Sequence, residues 1–96
     1  MKNQIEETAE LFKALSHPTR LAIVCGLVGS DECNVSKIVE NLGLLQPNIS
    51  QHLSILKNAG IIEGYRKGAQ VCYKVTDENI KKLIKNMGLE SLPKQG

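Results

Sequence analysis

The chain has 96 residues, of which 42% are hydrophobic and 23% charged, the composition of one globular domain and not of a disordered tail. One Phe, two Tyr and no Trp leave too few rings for a base-stacking platform, no apolar run reaches membrane-spanning length, and Met1-Lys2-Asn3-Gln4 does not open a signal peptide, so a cytoplasmic protein is expected. The net charge of +2 is uneven: residues 1–50 carry 4 Lys/Arg against 6 Asp/Glu, and residues 51–96 carry 8 against 4, so the second half suits an anionic partner or a solvated face.

Helical spacing of Ile5, Thr8, Leu11, Phe12 and Leu15 predicts a first helix over residues 4–15. Ser16-His17 breaks it, and Pro18 suits the first position of a second helix over 18–28. That helix is apolar on most sides (Leu21, Ile23, Val24, Leu27, Val28) and is expected to be the most buried. A helix-end hydrogen bond suits His17 better than a ligand role. Residues 32–35 form a possible short strand. Ser36 is a candidate N-cap for a third helix over 37–42, with Ile38, Val39 and Leu42 inward and Gly43 at its end. Pro47 opens a fourth helix over 47–59, closed by Gly60. Its inward stripe is Ile49, Leu53 and Leu56.

The period then changes from helical to alternating. Residues 61–66 and 70–75 read as two strands, joined through Lys67-Gly68-Ala69 as a hairpin loop. Thr76 or Asp77 caps a last helix over 78–88 with the stripe Ile80, Leu83, Ile84, Met87. Residues 89–96 are expected to be loose.

The segment 36–75 carries the functional signal. Two helices separated by a short Gly-containing turn are a helix-turn-helix pattern. The second presents small amide and hydroxyl side chains: Asn48, Ser50, Gln51 and Ser54, with His52, Lys57 and Asn58 beside them. Asn and Gln can bond bidentately to adenine, and Ser can donate or accept at a base edge. His52 is open between a DNA contact and plain surface exposure. Arg66 and Lys67 at the tip of the following hairpin can reach phosphates or the minor groove. Helix, turn, polar helix and basic hairpin in this order make a winged helix: mostly α with a small β-hairpin, five helices and a two- or three-stranded wing sheet. The alternative is a winged-helix interaction module without DNA binding. It would replace the small polar face by large apolar residues, which this chain does not do. An enzyme finds no support, since there is no phosphate-binding glycine loop, nucleophile–base motif or paired carboxylates in an apolar setting.

Three stretches closely resemble the ArsR/SmtB family of bacterial repressors: Ala14-Leu15-Ser16-His17-Pro18-Thr19-Arg20-Leu21, Gln46-Pro47-Asn48-Ile49-Ser50-Gln51-His52-Leu53, and Tyr65-Arg66-Lys67-Gly68 with Val71-Cys72-Tyr73. The resemblance covers about residues 5–88. It implies a winged-helix homodimer that represses from an imperfect palindrome of double-stranded DNA and in many relatives leaves it when a metal or thiol-reactive inducer binds. The DNA-contacting set expected from the polar helix, its leading end and the basic hairpin is Gln46, Asn48, Ser50, Gln51, His52, Ser54, Lys57, Arg66 and Lys67. The dimer would form through the outer helices, at Ile5, Leu11, Leu15, Ile80, Leu83, Ile84 and Met87. Relatives often place a capping Ser before the Gln-Pro pair; this chain has Leu45.

The family's sensor sites do not carry over. The Cys-Val-Cys of arsenic- and cadmium-responsive relatives falls on Asn34 and Ser36, with Cys33 one residue away. The Asp-x-His of zinc- and nickel-type relatives falls on Asp77-Glu78-Asn79, and no His follows His52. No metal or other cofactor is therefore expected. Among the three cysteines, strand alternation places Val71, Tyr73 and Val75 on the core side and Cys72 on the other, while Cys33 follows Val35 inward. Three separate thiols are thus expected, with Cys25 and Cys33 largely buried and Cys72 the most accessible, either a plain surface cysteine, the favoured reading, or a candidate for thiol modulation of DNA binding.

Overall fold

The computed structural model describes residues 3–29, 33, 35–41, 43 and 48–91. Helix α1 runs Gln4–Leu15, and the Asn3 side chain caps it by accepting from the Glu6 N–H at 2.9 Å. Glu6 and Glu7 lie in its first turn and Lys13 in its last, the charge order that suits the helix dipole. The chain bends by 97° into α2, Pro18–Gly29. Helix α2 is the central element: Ile23 and Val24 are fully buried, and α1, α3, α4 and α5 all pack on it.

Helix α3 spans Val35–Asn41. It starts earlier than the expected 37–42, so Ser36 lies inside the helix and is not its N-cap. Ile38 and Val39 face the core as expected, whereas Leu42 lies outside the described residues. Gly26 lets α2 and α3 approach, because a Cβ there would come within 2.5 Å of Ile38 Cγ2. Helix α4 spans Ile49–Asn58, with Leu53 and Leu56 inward and Ile49 half-buried. The expected opening at Pro47 falls outside the described residues.

Strands β1 (Ile62–Lys67) and β2 (Gln70–Val75) pair antiparallel, from Ile62 opposite Val75 at the base to Lys67 opposite Gln70 at the tip. The turn is therefore two residues, Gly68 and Ala69, shorter than the expected loop. Gly68 has φ +64 while Ala69 does not have positive φ, the pattern of a type II′ hairpin turn, where Gly is favoured at the first position. Among the described residues the sheet has two strands. The Thr76 N–H donates to the Ile61 carbonyl at 2.9 Å and closes the hairpin base.

Helix α5 runs Glu78–Asn86, capped by Asp77, whose Oδ1 accepts from the Ile80 N–H at 3.0 Å. The chain does not leave the body there. Leu89–Ser91 make a 3-10 turn against α2, with Leu89 packed on the core, so the loose segment does not begin at 89. No single helix among the described residues is long and apolar enough to cross a membrane.

Packing divides each outer apolar stripe in two. On α5, Ile80 and Ile84 are buried in the chain's own core, Leu83 is half-buried and Met87 is 62% exposed. On α1, Leu15 is buried, Leu11 half-buried, and Ile5 and Phe12 are 78% and 51% exposed. Leu15, Ile80 and Ile84 are therefore core residues, a correction to their expected place in a dimer seam. Residues 100° apart on a helix can share an apolar stripe and still face different neighbours.

Candidate nucleic-acid interface

Helix α4 and the wing border one groove of about 650 Å³, lined by Lys57 from α4 and by Ile62, Glu63, Gly64, Tyr65, Arg66, Val71 and Tyr73 from the hairpin. Ser50, Gln51, Ser54 and Lys57 are exposed on α4 and Asn48 just before it, and Arg66 and Lys67 are exposed on the wing; of these, Lys57 and Arg66 line the groove. Ser54 Oγ donates back to the Ser50 carbonyl at 3.1 Å, so this hydroxyl still has acceptor capacity for an outside donor. Gln46 lies outside the described residues. Ile55, which the sequence pattern did not single out, is 37% exposed on the same helix. Its signal was an Ile at a position the inward stripe does not use.

His52 is not on this surface. It is 8% exposed and turned toward the start of α2. Arg20 Nη1 lies 3.2 Å from His52 Nδ1, and Arg20 Nε donates to the Ala14 carbonyl at 2.6 Å. The His17 ring sits 4.5 Å from the His52 ring, and His17 Nδ1 accepts from the Thr19 N–H at 3.1 Å. His17 thus caps α2, as expected, and both readings of His52 as a surface residue are corrected. Burial pushes the His52 pKa below its usual 6.5, and the charges of His17 and Arg20 push the same way. Arg20 was missed as a structural residue. The available signal was a lone Arg on an otherwise apolar helix, which needs buried acceptors.

The cysteine expectation is overturned. Cys33 and Cys72 form a disulfide across 39 residues, and Cys72 is fully buried. Two steps of the sequence argument fail for physical reasons. Val71, Tyr73 and Val75 do share a face, but the wing projects from the body, so that face is covered only at its base: Val75 is 5% exposed and Val71 51%. The opposite face, with Cys72, is the one that Cys33 covers. In addition, Val35 begins α3, so there is no strand along which its inward direction extends to Cys33. Cys33 itself is half-buried. Cys25 is buried as expected, and desolvation with the nearby Glu90 charge pushes its thiol up to about 11. Among the described residues, no group of three His, Cys, Asp or Glu could hold a metal ion.

A helix-turn-helix with an exposed polar second helix, flanked by a basic hairpin on the same groove, defines a winged-helix DNA-binding protein. Residues 17–64 match the family described as bacterial regulatory protein, arsR family. An HTH-type transcriptional regulator of Methanocaldococcus jannaschii is 42% identical over 83% of this chain and 90% of its own length. The biofilm growth-associated repressor of Xylella fastidiosa is 38% identical over 88% of this chain and 73% of its own. Among solved structures, the transcriptional repressor BigR from Xylella fastidiosa superposes with a TM-score of 0.74 at 34% identity, covering 93% of this chain and 90% of that one. A homodimeric winged helix-turn-helix DNA-binding domain from Mycobacterium bovis gives a TM-score of 0.70 at 26% identity, covering 88% and 78%. The chain belongs to the ArsR family and is a winged helix-turn-helix transcriptional regulator.

Proposed function

We propose that the chain is a sequence-specific, cytoplasmic, dimeric repressor that reads an imperfect palindrome. Helix α4 enters the major groove with Ser50, Gln51 and Ser54 at base edges and Asn48 at its leading end. Ile55 meets a thymine methyl. Lys57, Arg66 and Lys67 hold phosphates on either side of the groove. The dimer forms over the apolar edges left open by the monomer, Ile5 and Phe12 on α1 and Leu83 and Met87 on α5. Its two-fold symmetry would place two copies of α4 on successive major-groove faces, which a palindrome matches.

The observation that carries the reading is the division of labour on α4. Leu53 and Leu56 are spent in the core, while Ser50, Gln51, Ser54 and Lys57 are exposed. Selection from a random pool of DNA duplexes, followed by affinity measurement across salt, tests it. The expected result is one enriched inverted repeat, bound with a steep salt dependence. Failure to enrich any duplex would overturn the reading and leave an interaction module.

A further inference from the structure

The Cys33–Cys72 bond joins residues 39 apart in sequence and closes a loop that contains α3, α4, β1 and the wing tip. Every element offered to DNA lies inside this loop. The bond joins the segment before α3 to β2 of the wing, at Cys72, whose cross-strand partner Tyr65 lines the groove while Cys72 itself does not. Since Cys72 is fully buried and does not line the groove, the bond ties the wing to the helix-turn-helix from beneath the exposed side chains. Cys72 is fully buried and Cys33 only half-buried, so Cys33 Sγ is the sulfur within reach of an attacking thiolate. The third thiol does not compete: Cys25 is in the core.

We propose that Cys33 and Cys72 form a thiol–disulfide exchange site through which small or protein dithiols set the DNA affinity of this regulator, the disulfide being the tight-binding form. This rests on the DNA-binding reading above. A dithiol donor attacks Cys33 Sγ through one thiolate, the Cys33–Cys72 bond breaks, and Cys72 leaves as a thiolate that takes up a proton. The donor's second thiolate then displaces Cys33 from the mixed disulfide, and Cys33 takes up a proton in turn. The donor ends as its own disulfide, and the protein has gained two electrons and two protons. A disulfide oxidant reverses both steps. In the oxidised state the angle between wing and α4 is held before DNA arrives. In the reduced state that ordering must occur on binding, which weakens the complex.

The test uses the full chain and the duplex enriched from the random pool. Binding is measured with the protein oxidised, reduced by dithiothreitol, and reoxidised by oxidised dithiothreitol, with intact mass reporting the bond. Circular dichroism shows that the reduced protein is folded at the temperature used. Reduction is expected to weaken binding by about tenfold or more and reoxidation to restore it. The melting temperature should fall by about 10–20 °C on reduction, because the loop constraint on the unfolded chain is lost. Cys33→Val with Cys72→Val should bind at the reduced level and ignore dithiothreitol, whereas Cys25→Ala should keep the response. If the paired variant does not fold, the reduced wild-type chain supplies the same comparison. Equal or tighter binding by the reduced protein would overturn the proposal, as would a bond that resists dithiothreitol in the folded state. Absence of binding in every redox state would instead overturn the DNA-binding reading beneath it.

Discussion

The Arg20 guanidinium lies 3.2 Å from His52 Nδ1 and ties the first turn of α2 to the helix that faces DNA. The same side chain donates to the Ala14 carbonyl at the end of α1. One Arg thus joins three helices at their point of convergence. The ring nitrogen that faces a guanidinium must act as acceptor, so His52 is neutral and carries its proton on Nε2.

Replacing Arg20 by Leu removes both bonds and leaves the Ala14 carbonyl without its charged donor. Hydrogen bonds to charged groups contribute about 1.5–3 kcal/mol. A loss of about 2 kcal/mol in urea unfolding is expected, with the slope of the transition unchanged. No loss would mean that water replaces the guanidinium at no cost.

The His52 environment predicts acid sensitivity. Its pKa is lowered in the folded state, so the unfolded chain binds the proton more readily. Stability is therefore full above the unfolded value of about 6.5 and declines as pH falls from there toward the lowered folded value. Thermal melts from neutral to mildly acidic pH should show the decline, and His52→Gln should flatten it. A variant with the wild-type slope would assign the effect to another group.

Ser50→Ala with Gln51→Ala should remove discrimination between the selected duplex and random DNA, since a side chain bonded to a base edge contributes about 1–3 kcal/mol of discrimination. Non-specific binding should persist, because phosphate charge carries it. Competition binding with both duplexes reads the ratio. A retained preference would move base reading off α4.

At the wing tip, Arg66→Ala and Lys67→Ala should weaken all duplexes alike. The slope of log affinity against log salt should fall by about 0.9 for each phosphate no longer neutralised. An unchanged slope would place the phosphate-binding cations elsewhere, with Lys57 and Lys74 next in line.

The two sides of α5 give opposite expectations. Met87, 62% exposed, changed to Glu should give a folded monomer in sedimentation velocity. Ile84, 1% exposed, changed to Glu buries an unpaired charge and should unfold the chain. A dimeric Met87→Glu protein would put the interface on another surface.

The order of elements and most of their ends were legible locally. Pro18 at a helix start, a cap at Thr76 or Asp77 and Gly68 in a hairpin turn act through their own backbone and nearest neighbours, so short stretches suffice to recognise them, although the turn proved one residue shorter than the stretch suggested. The polar face of α4 was legible for a related reason: a 3.6-residue period sorts side chains onto faces without knowledge of the partner. What lies against each face is a different matter, set by contacts between residues far apart in the chain. His52 belongs to the polar set of α4 by type, yet the Arg20 side chain, 32 residues away, gives it a buried acceptor role. Leu83 and Ile84 are adjacent members of one apolar stripe, yet only Ile84 meets the core. Alternation put Cys72 on the correct face of its strand, but Cys33, 39 residues away, decided that this face was closed and that the two sulfurs would meet. Periodicity reports which residues face the same way; only the folded chain determines what they face.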